Sequence, residues 1–377
     1  MMLARITTRH LLLVSITSVL FYFVCYVIFF SSENQPGSAF VGNRVLRSMR
    51  LDLNITKRGY SHPGCSCTRY GYDLAALNKT RELALRDPRS QPPWFLVRYP
   101  ETFTSTCSDF SSQRGVGQKV VSYSYYVPTG IASNDSESTK KFLKQMYPRA
   151  RRIARVYPSW LMRVYHNVST DDVISTHYMC KLFCDMPHVD LCHVKDLPTL
   201  GDLESRMPLG RTWRFAALGD PTVRWMMSRD LDSKILTREV EAVKQWIQSG
   251  RSFHVMRDHP GHNTFVLAGL WGAYNKFPVR LAAVRDAMLA VPPVKQQKNF
   301  DQIMLAKHLW PFMQGELMEH DSYYCENYPG SLPFPTHRRE WRYCGWGPYK
   351  ASPRTLVIEK QCPMACRPKD HPDWTWC

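Results

Sequence analysis

Acidic residues are scarce in this chain of 377 residues, with 32 Asp and Glu against 49 Lys and Arg and a formal net charge of +17. Internal repeats, heptads and collagen-like triplets are also missing, which excludes a solenoid, a coiled coil and a fibre. The basic excess favours anionic ligands, such as phosphate-bearing donors, sulfated glycans or anionic membrane surfaces. A generally basic, solvated surface is the other explanation that composition allows.

Only one stretch of the sequence is apolar enough to cross a bilayer. Leu11–Phe30 carries no charge and is long enough to span a hydrocarbon core of about 30 Å. Arg5 and Arg9 precede it and only Glu33 closely follows, which places residues 1–10 in the cytosol and the rest in the lumen. We therefore predict a single-pass type II membrane protein that nucleic acid does not reach; a cleaved signal peptide is the alternative.

Sequons and cysteines agree with a lumenal location. The N-x-S/T sequons begin at Asn54, Asn78, Asn134 and Asn167. Eleven of the 12 cysteines follow the anchor, and in an oxidising compartment we expect disulfides, with at least one cysteine left free or paired with another chain. One group imitates a zinc site, although disulfides are favoured there too: Cys180, Cys184, His188, Cys192 and His193.

Three regions are predicted after the anchor. Residues 31–62 are polar and indicate a flexible stem. Strand-like and helix-like runs alternate within 63–322, which predicts an α/β domain with a mostly parallel sheet and helices on both faces. Residues 323–377 are rich in Cys and aromatic side chains and indicate a disulfide-tied C-terminal extension.

Two carboxylates follow a buried strand in "VRWMMSRDLDS". Because side chains alternate along an extended chain, Asp230 and Asp232 project to one side. At the carboxyl end of a strand, where such sheets bind ligands, they would suit Mn²⁺ or Mg²⁺ and bridge it to phosphate oxygens. The alternative is a turn whose carboxylates cap the next helix.

A longer pattern surrounds these aspartates. Residues 213–275 contain W-R-F, G-D-P, S-R-D-L-D-S, R-E-x-x-A-V, M-R-D-H-P and G-x-W-G, and "YPSWLMRVYHN" lies upstream. The pattern covers about half the chain, from Tyr123 to Asp321, and resembles Golgi type II glycosyltransferases with a GT-A fold. That resemblance implies that Asp230 and Asp232 hold the metal of a metal–nucleotide-sugar complex.

Further candidates come from the same region. Arg229 and Arg257 could bind diphosphate, with Asp258 near the donor sugar, although "RDHPG" could be only a structural turn. Gly269 and Gly272 could allow close backbone approach to a ligand, or form a tight turn packed by a Trp.

The last two candidates lie further along the chain. The resemblance to GT-A enzymes, which often carry an acid in this part of the chain, implies that Asp301 acts on the acceptor or donor sugar; the alternative is that it merely begins a helix. His320 resembles the C-terminal metal-ligating His of many GT-A folds, although a lone His is more often structural. An inverting mechanism would need an acid such as Asp301 or Asp258 as general base; a retaining mechanism stays open.

Together these features predict a metal-dependent glycosyltransferase of the Golgi membrane, of hexosyl or N-acetylhexosaminyl type. A nucleotide-sugar would be the donor, and a glycan, glycoprotein or glycolipid the acceptor. One rival is a non-catalytic glycan-binding or scaffold protein of the secretory lumen. A lumenal sulfotransferase is a weaker rival, because the expected Gly/Lys/Ser phosphate loop does not follow the first strand.

Overall fold

The computed structural model describes residues 57–72, 104–127, 137–290, 299–338, 341–347, 358 and 360–377. The predicted cytosolic tail, the predicted anchor and three of the four sequons lie outside these residues. Within them, no helix combines the length and apolarity needed to cross a membrane. Strand β1 (Lys57–Ser61) pairs antiparallel with β2 (Thr68–Tyr72), so the first described strand lies within the predicted stem, residues 31–62.

Strands and helices alternate through the main domain. The strands are β3 (Gln118–Tyr125), β4 (Trp160–His166), β5 (Val189–His193), β6 (Val223–Arg229), β7 (Phe253–Arg257), β8 (Leu270–Tyr274) and β9 (Leu317–Asp321). The helices are α1 (Asp109–Gln113), α2 (Glu137–Val156), α3 (Val173–Asp185), α4 (Leu203–Arg206), α5 (Thr237–Ser249), α6 (Pro278–Ala290), α7 (Phe300–Met304) and α8 (Trp310–Met313). A 3₁₀ segment at Gly210–Ala217 precedes β6, and a π-helical turn at Leu305–Leu309 joins α7 to α8.

Strands β3 to β9 form one sheet in the order β5-β4-β3-β6-β8-β7-β9. All neighbours are parallel except β8, which runs antiparallel to β6 and β7. The prediction of a mostly parallel α/β sheet is therefore confirmed. Strands β4 and β5 extend the sheet from one side of β3, and β6 then adds to the other side of β3. In sheets whose strand order reverses in this way, ligands bind at the carboxyl ends of the strands beside the reversal.

Two apolar cores lie on opposite faces of the sheet, because successive side chains of each strand point to opposite sides. On β3, Val120 belongs to one core, whereas Val121 and Tyr123 belong to the other. Helices α2, α3 and α5 pack on the Val121 side, and α5 contributes Val243 and Trp246 as its hydrophobic pattern predicts. Helices α6 and α7 and the 3₁₀ segment cover the Val120 side.

A buried ion pair fastens the G-D-P motif to the sheet. The Asp220 carboxylate lies 2.7 Å from the Arg163 guanidinium on β4, and both side chains are fully buried. Asp220 also accepts hydrogen bonds from the backbone amide of Thr106 at 2.8 Å and from that of Thr222 at 2.8 Å. Because these partners replace water around it, the buried carboxylate remains ionised. The G-D-P motif therefore has a structural role.

Disulfides close both ends of the described chain. The pairs are Cys65–Cys180, Cys67–Cys184, Cys107–Cys192, Cys325–Cys366 and Cys362–Cys377. They confirm the expected disulfides and replace the zinc alternative, since all three of its cysteines are bonded. The first two pairs hold the β1–β2 hairpin on α3, and the last two tie the C-terminal extension. Cys344 is free and buried.

A single carboxylate, that of Asp258, docks the C-terminal extension on the main domain. It accepts hydrogen bonds from Arg238 on α5 at 3.1 Å, from Arg338 at 2.6 Å and from the backbone amide of Cys344 at 2.8 Å. Burial would raise the pKa of Asp258, but the two guanidinium groups hold it well below its usual range. The carboxylate is therefore charged and joins β7, α5 and the extension.

Replacing Asp258 by Asn should destabilise the protein and loosen the extension. The amide keeps the shape but leaves two buried guanidinium groups without a counter-charge, which costs about 3–5 kcal/mol of the free energy of unfolding. Calorimetry should show a lower melting temperature, and limited proteolysis should cleave after Ser322 sooner than in the wild type.

The matched control is Glu241→Gln, which removes a carboxylate that is 38% exposed and paired with Lys244, itself 64% exposed. An exposed pair contributes only about 0–1 kcal/mol, so this variant should melt close to the wild type. Equal melting temperatures for the two variants would contradict the docking role of Asp258.

Candidate functional site

An open cleft lies at the carboxyl end of β6, where the strand order reverses. Its volume is about 190 Å³, below the ~300–1,000 Å³ typical of a complete small-molecule site. A cleft of this volume has room for only part of a typical small-molecule ligand. The lining residues come from the 3₁₀ segment, the end of β6, the loop between β7 and β8, the starts of β8 and α7, and the C-terminal extension: Arg214, Asp230, His262, Leu267, Ala268, Gly269, Leu270, Asp301, Gln302 and Gly345.

Arg214 joins the two carboxylates of the cleft. One of its terminal nitrogens, Nη1, donates to Asp230 Oδ1 at 2.5 Å, and Nη2 donates to Asp301 Oδ2 at 3.2 Å. Burial would lower the pKa of Arg214, but the charges of Asp230 and Asp301 outweigh it, so its pKa is raised. A fully charged guanidinium therefore fixes both carboxylates in position.

Asp230 occupies the first position after β6. Its side chain is 33% exposed, whereas that of Arg214 is only 6% exposed, so the carboxylate meets solvent while its partner lies beneath. Gly269 lies directly opposite: a Cβ there would fall 2.5 Å from Asp230 Cγ. Only glycine leaves room for the carboxylate, which explains Gly269 as a packing requirement of the cleft.

Asp301 is the second residue of helix α7 and is mostly buried, with 10% of its side chain exposed. Burial raises its pKa, and the negative charge of Asp230 raises it further, while Arg214 and Arg211 oppose the shift. The backbone amide of Gln302 donates to its Oδ1 at 3.1 Å. An acid with a raised pKa beside a more exposed carboxylate is suited to proton transfer.

The C-terminal extension packs directly on the loop that carries Asp232. Ser233 Oγ donates to the carbonyl of Gly345 at 3.0 Å, and the amide of Lys234 donates to the carbonyl of Trp346 at 2.7 Å. A Cβ on Gly347 would lie 2.0 Å from the carbonyl oxygen of Asp232. Asp232 itself is half-buried and does not line the cleft, so only the first aspartate of the pair enters it.

Arg229 points into the protein, away from the cleft. Its Nε donates to Glu239 at 2.7 Å and its Nη1 to the carbonyl of Trp271 at 2.9 Å, and the side chain is 2% exposed. The structure therefore does not bring Arg229 to the cleft beside Asp230, because every hydrogen bond of its guanidinium goes to interior groups. Arg229 instead fastens β6 to α5 and β8.

Arg257 and Asp258 are also interior. Arg257 donates to Glu319 at 2.6 Å and to the carbonyl oxygens of Thr264 and Phe265 at 2.8 and 2.7 Å, and it is fully buried. Asp258 serves the docking contacts described above. Neither lines the cleft, so the predicted diphosphate and donor-sugar roles do not follow from their positions.

His320 and Gly272 lie within strands of the sheet, away from the cleft. The His320 ring contacts His254 at 2.8 Å and Gln245 at 2.8 Å, and burial lowers its pKa to about 3. It lies within β9, away from the cleft, which removes it as a metal ligand beside Asp230. Gly272 is in the middle of β8, not in a turn; a Cβ there would meet Trp246 at 2.7 Å, so it serves core packing.

Two cleft residues with ionisable side chains, Arg214 and His262, were not among the predicted site residues. Arg214 is the arginine of the W-R-F motif, so the sequence pattern included it. The distance along the chain between Arg214 and Asp230 gave no indication that the two side chains meet. His262 follows the Pro-Gly turn after β7, and its Nδ1 accepts from the backbone amide of Asp258 at 3.1 Å. Of the predicted site residues, the structure brings together Asp230, Asp301 and Gly269.

Comparison with known proteins gives only distant similarity. No protein-family model matches the chain, and no curated protein matches it. A solved glycosyltransferase involved in glycosylation of the major capsid of PBCV-1 is 11% identical, with a TM-score of 0.31 over 57% of this chain and 91% of that one. The 4-diphosphocytidyl-2C-methyl-D-erythritol synthase of Anaerococcus prevotii is 11% identical, with a TM-score of 0.32 over 56% and 90%. Similarity at this level defines neither a family nor an activity.

Gly269→Ala should disturb the cleft without unfolding the domain. The new methyl group must displace the Asp230 carboxylate, because the two would otherwise lie 2.5 Å apart. We expect Mn²⁺ affinity, measured by water-proton relaxation, to fall at least about tenfold, the equivalent of one lost ligand contact of ~1.4 kcal/mol.

Gly71→Ala is the control, since its methyl group would meet only the Gln113 and Tyr60 side chains at 3.3 Å, outside the cleft. If Gly269→Ala binds Mn²⁺ as tightly as the wild type and Gly71→Ala do, then Asp230 does not take part in metal binding.

Proposed function

We propose that this protein is a metal-dependent glycosyltransferase that moves a sugar from a nucleotide-sugar to a hydroxyl group of a glycan, glycoprotein or glycolipid. The observation that carries the proposal is the pair of carboxylates, Asp230 and Asp301, held by Arg214 at the carboxyl end of β6. The reversal of strand order at this point makes it the expected ligand site of the sheet.

The charges of the cleft suit a divalent cation. Two carboxylates and one guanidinium sum to −1, so the Asp230 side leaves negative charge exposed. Hard oxygen ligands of this kind fit Mn²⁺ or Mg²⁺, with Asp230 as the ligand inside the cleft and Asp232 a proposed ligand on the adjoining loop. The bound cation would offset charge on the departing diphosphate.

Asp301 is the proposed proton acceptor. Its raised pKa brings it closer to the pH at which a general base works best, and Arg214 keeps its carboxylate oriented toward the cleft. His262 lines the same cleft, which places a hydrogen-bond donor near the reacting groups. The arrangement serves an inverting transfer, in which a carboxylate removes the proton of the attacking hydroxyl.

The proposed location is the Golgi membrane, with the described domain in the lumen. Its support is the charge-free run Leu11–Phe30, the five disulfides and the W-R-F to G-x-W-G pattern of GT-A enzymes. The Asn167 sequon supports a lumenal location only in part, because the side-chain Nδ2 of Asn167 already donates to Glu204 at 2.6 Å and to the carbonyl of Val127 at 3.1 Å.

A donor screen tests the proposal directly. The protein is incubated with UDP- and GDP-sugars with and without Mn²⁺, and release of free nucleotide is followed. We expect metal-dependent release from one donor and at least about a 100-fold loss in Asp230→Asn, the scale of removing one electrostatic contact to the transition state. Asp286→Asn, which changes an exposed carboxylate, should keep full activity.

Donor binding is measured in parallel by calorimetry, because some transferases need their acceptor for turnover. Failure of every nucleotide-sugar to bind in the presence of Mn²⁺ would overturn the proposal and favour a non-catalytic glycan-binding protein.

The pH profile tests Asp301 as the base. A base must be deprotonated, so kcat/KM should fall on the acid side through a pKa above 3.8, the ordinary value from which burial raises it. The positive charge of Arg211 lowers the pKa of Asp301, and Arg211→Gln should therefore move the acid limb to higher pH.

Arg280→Gln is the control for that shift, because it removes an exposed charge on α6 and should leave the limb in place. An acid limb that is identical in Arg211→Gln and the wild type would exclude Asp301 as the titrating group.

A further inference from the structure

A second pocket, of about 380 Å³, lies between α2 and the loop that leads from Asp232 to α5. It is on the opposite side of that loop from the cleft: Ile235 belongs to the core under α2, whereas Phe300, beside the cleft, belongs to the core on the other face of the sheet. The lining residues are Gln145, Pro148, Arg149, Arg152, Lys234, Ile235, Leu236, Thr237 and Arg342.

Arg149 is the unusual member of this lining. The residue is 5% exposed, yet its Nε has no hydrogen-bond partner and its Nη2 makes only a 3.4 Å contact with the carbonyl of Leu231. Among the residues that the structure describes, no carboxylate lies within ion-pair distance of it. A buried guanidinium without a counter-charge is costly, and an anion in the pocket would remove that cost.

The rest of the lining is basic as well. Arg152, Lys234 and Arg342 all face this pocket, and no acidic side chain is among its described lining residues. Lys234 lies 5.0 Å from the ring of Trp346, and Arg342 lies 4.9 Å from the same ring, so an aromatic surface holds two of the cations in place. Four positive groups converge on one site.

The amino end of helix α5 adds to this positive potential. Thr237, its first residue, lines the pocket, and the preceding Leu236 provides no side-chain cap for the helix. Glu239 is the acid of the first turn, but its carboxylate is paired with Arg229 in the interior. The helix dipole and its first backbone amides therefore favour an anion at this end.

We propose that this pocket binds a phosphate or sulfate monoester, with the anionic group against Arg149 and Lys234. Arginine and helix amides match the oxygens of a tetrahedral anion, and the volume lies within the ~300–1,000 Å³ range of small-ligand sites, which leaves room for a sugar ring behind the anion. The site is separate from the Asp230 cleft and does not depend on the proposed transferase activity.

Binding of inorganic phosphate tests the site, at constant ionic strength set with sodium chloride so that screening is equal throughout. Isothermal titration should detect one site in the wild type, with affinity reduced at least tenfold in Arg149→Gln and in Lys234→Gln. Lys234 is half-buried, so its variant keeps the test valid if Arg149→Gln does not fold. Sugar 6-phosphates and sugar 6-sulfates, titrated next, distinguish the two esters.

Two controls define the result. Arg155→Gln removes an exposed charge on the same helix that does not line the pocket, and it should bind phosphate as the wild type does. Asp230→Asn should also bind normally, since it alters only the cleft. Each of three outcomes would overturn the proposal. They are the absence of phosphate binding by the wild type, an equal loss of phosphate affinity in Lys234→Gln and Arg155→Gln, and a loss of phosphate affinity in Asp230→Asn.

Discussion

The pairing of one buried guanidinium with two carboxylates is the constraint on which the cleft depends. Arg214 comes from the 3₁₀ segment before β6, Asp230 from the end of β6 and Asp301 from the start of α7, so three separate segments meet at one charge. Without Arg214, the mostly buried Asp301 would lie near the negative charge of Asp230 with no counter-charge between them, and protonation of one carboxylate would be favoured. With it, both can be ionised and still leave the net negative charge that a divalent cation needs.

Buried arginines recur through the structure, and they change the meaning of the basic composition. Arg163, Arg229, Arg257 and Arg338 each lie in the interior against a carboxylate. These four of the 49 Lys and Arg residues therefore hold strands, helices and the C-terminal extension together, and because each is matched by a carboxylate, the excess of +17 lies with other basic residues. Against that background Arg149 is distinctive, because it is as buried as the others but has no acidic partner among the described residues.

The C-terminal extension is part of the site as well as of the fold. Asp258 docks it through Arg338 and the amide of Cys344, and the same short stretch supplies Gly345 to the cleft and Arg342 to the second pocket. The aspartate in the M-R-D-H-P motif thus acts on the site from a distance, by fixing a wall shared between two pockets. A sequence motif can therefore be essential to a site without its side chains reaching the ligand.

The sequence by itself determined the α/β class, the mostly parallel sheet, the disulfides and Asp230 as a strand-end carboxylate, because hydrophobic periodicity, helix lengths and cysteine content are local properties of the chain. It could not separate site arginines from structural ones: Arg229 and Arg214 look equally suitable, and only packing shows that Arg229 turns inward to Glu239 while Arg214 turns to the cleft. Likewise Asp301, Gly269 and Arg149 depend on contacts between segments far apart in the chain. The tertiary structure decided these roles, since the burial and partners of a charge exist only after the segments have met.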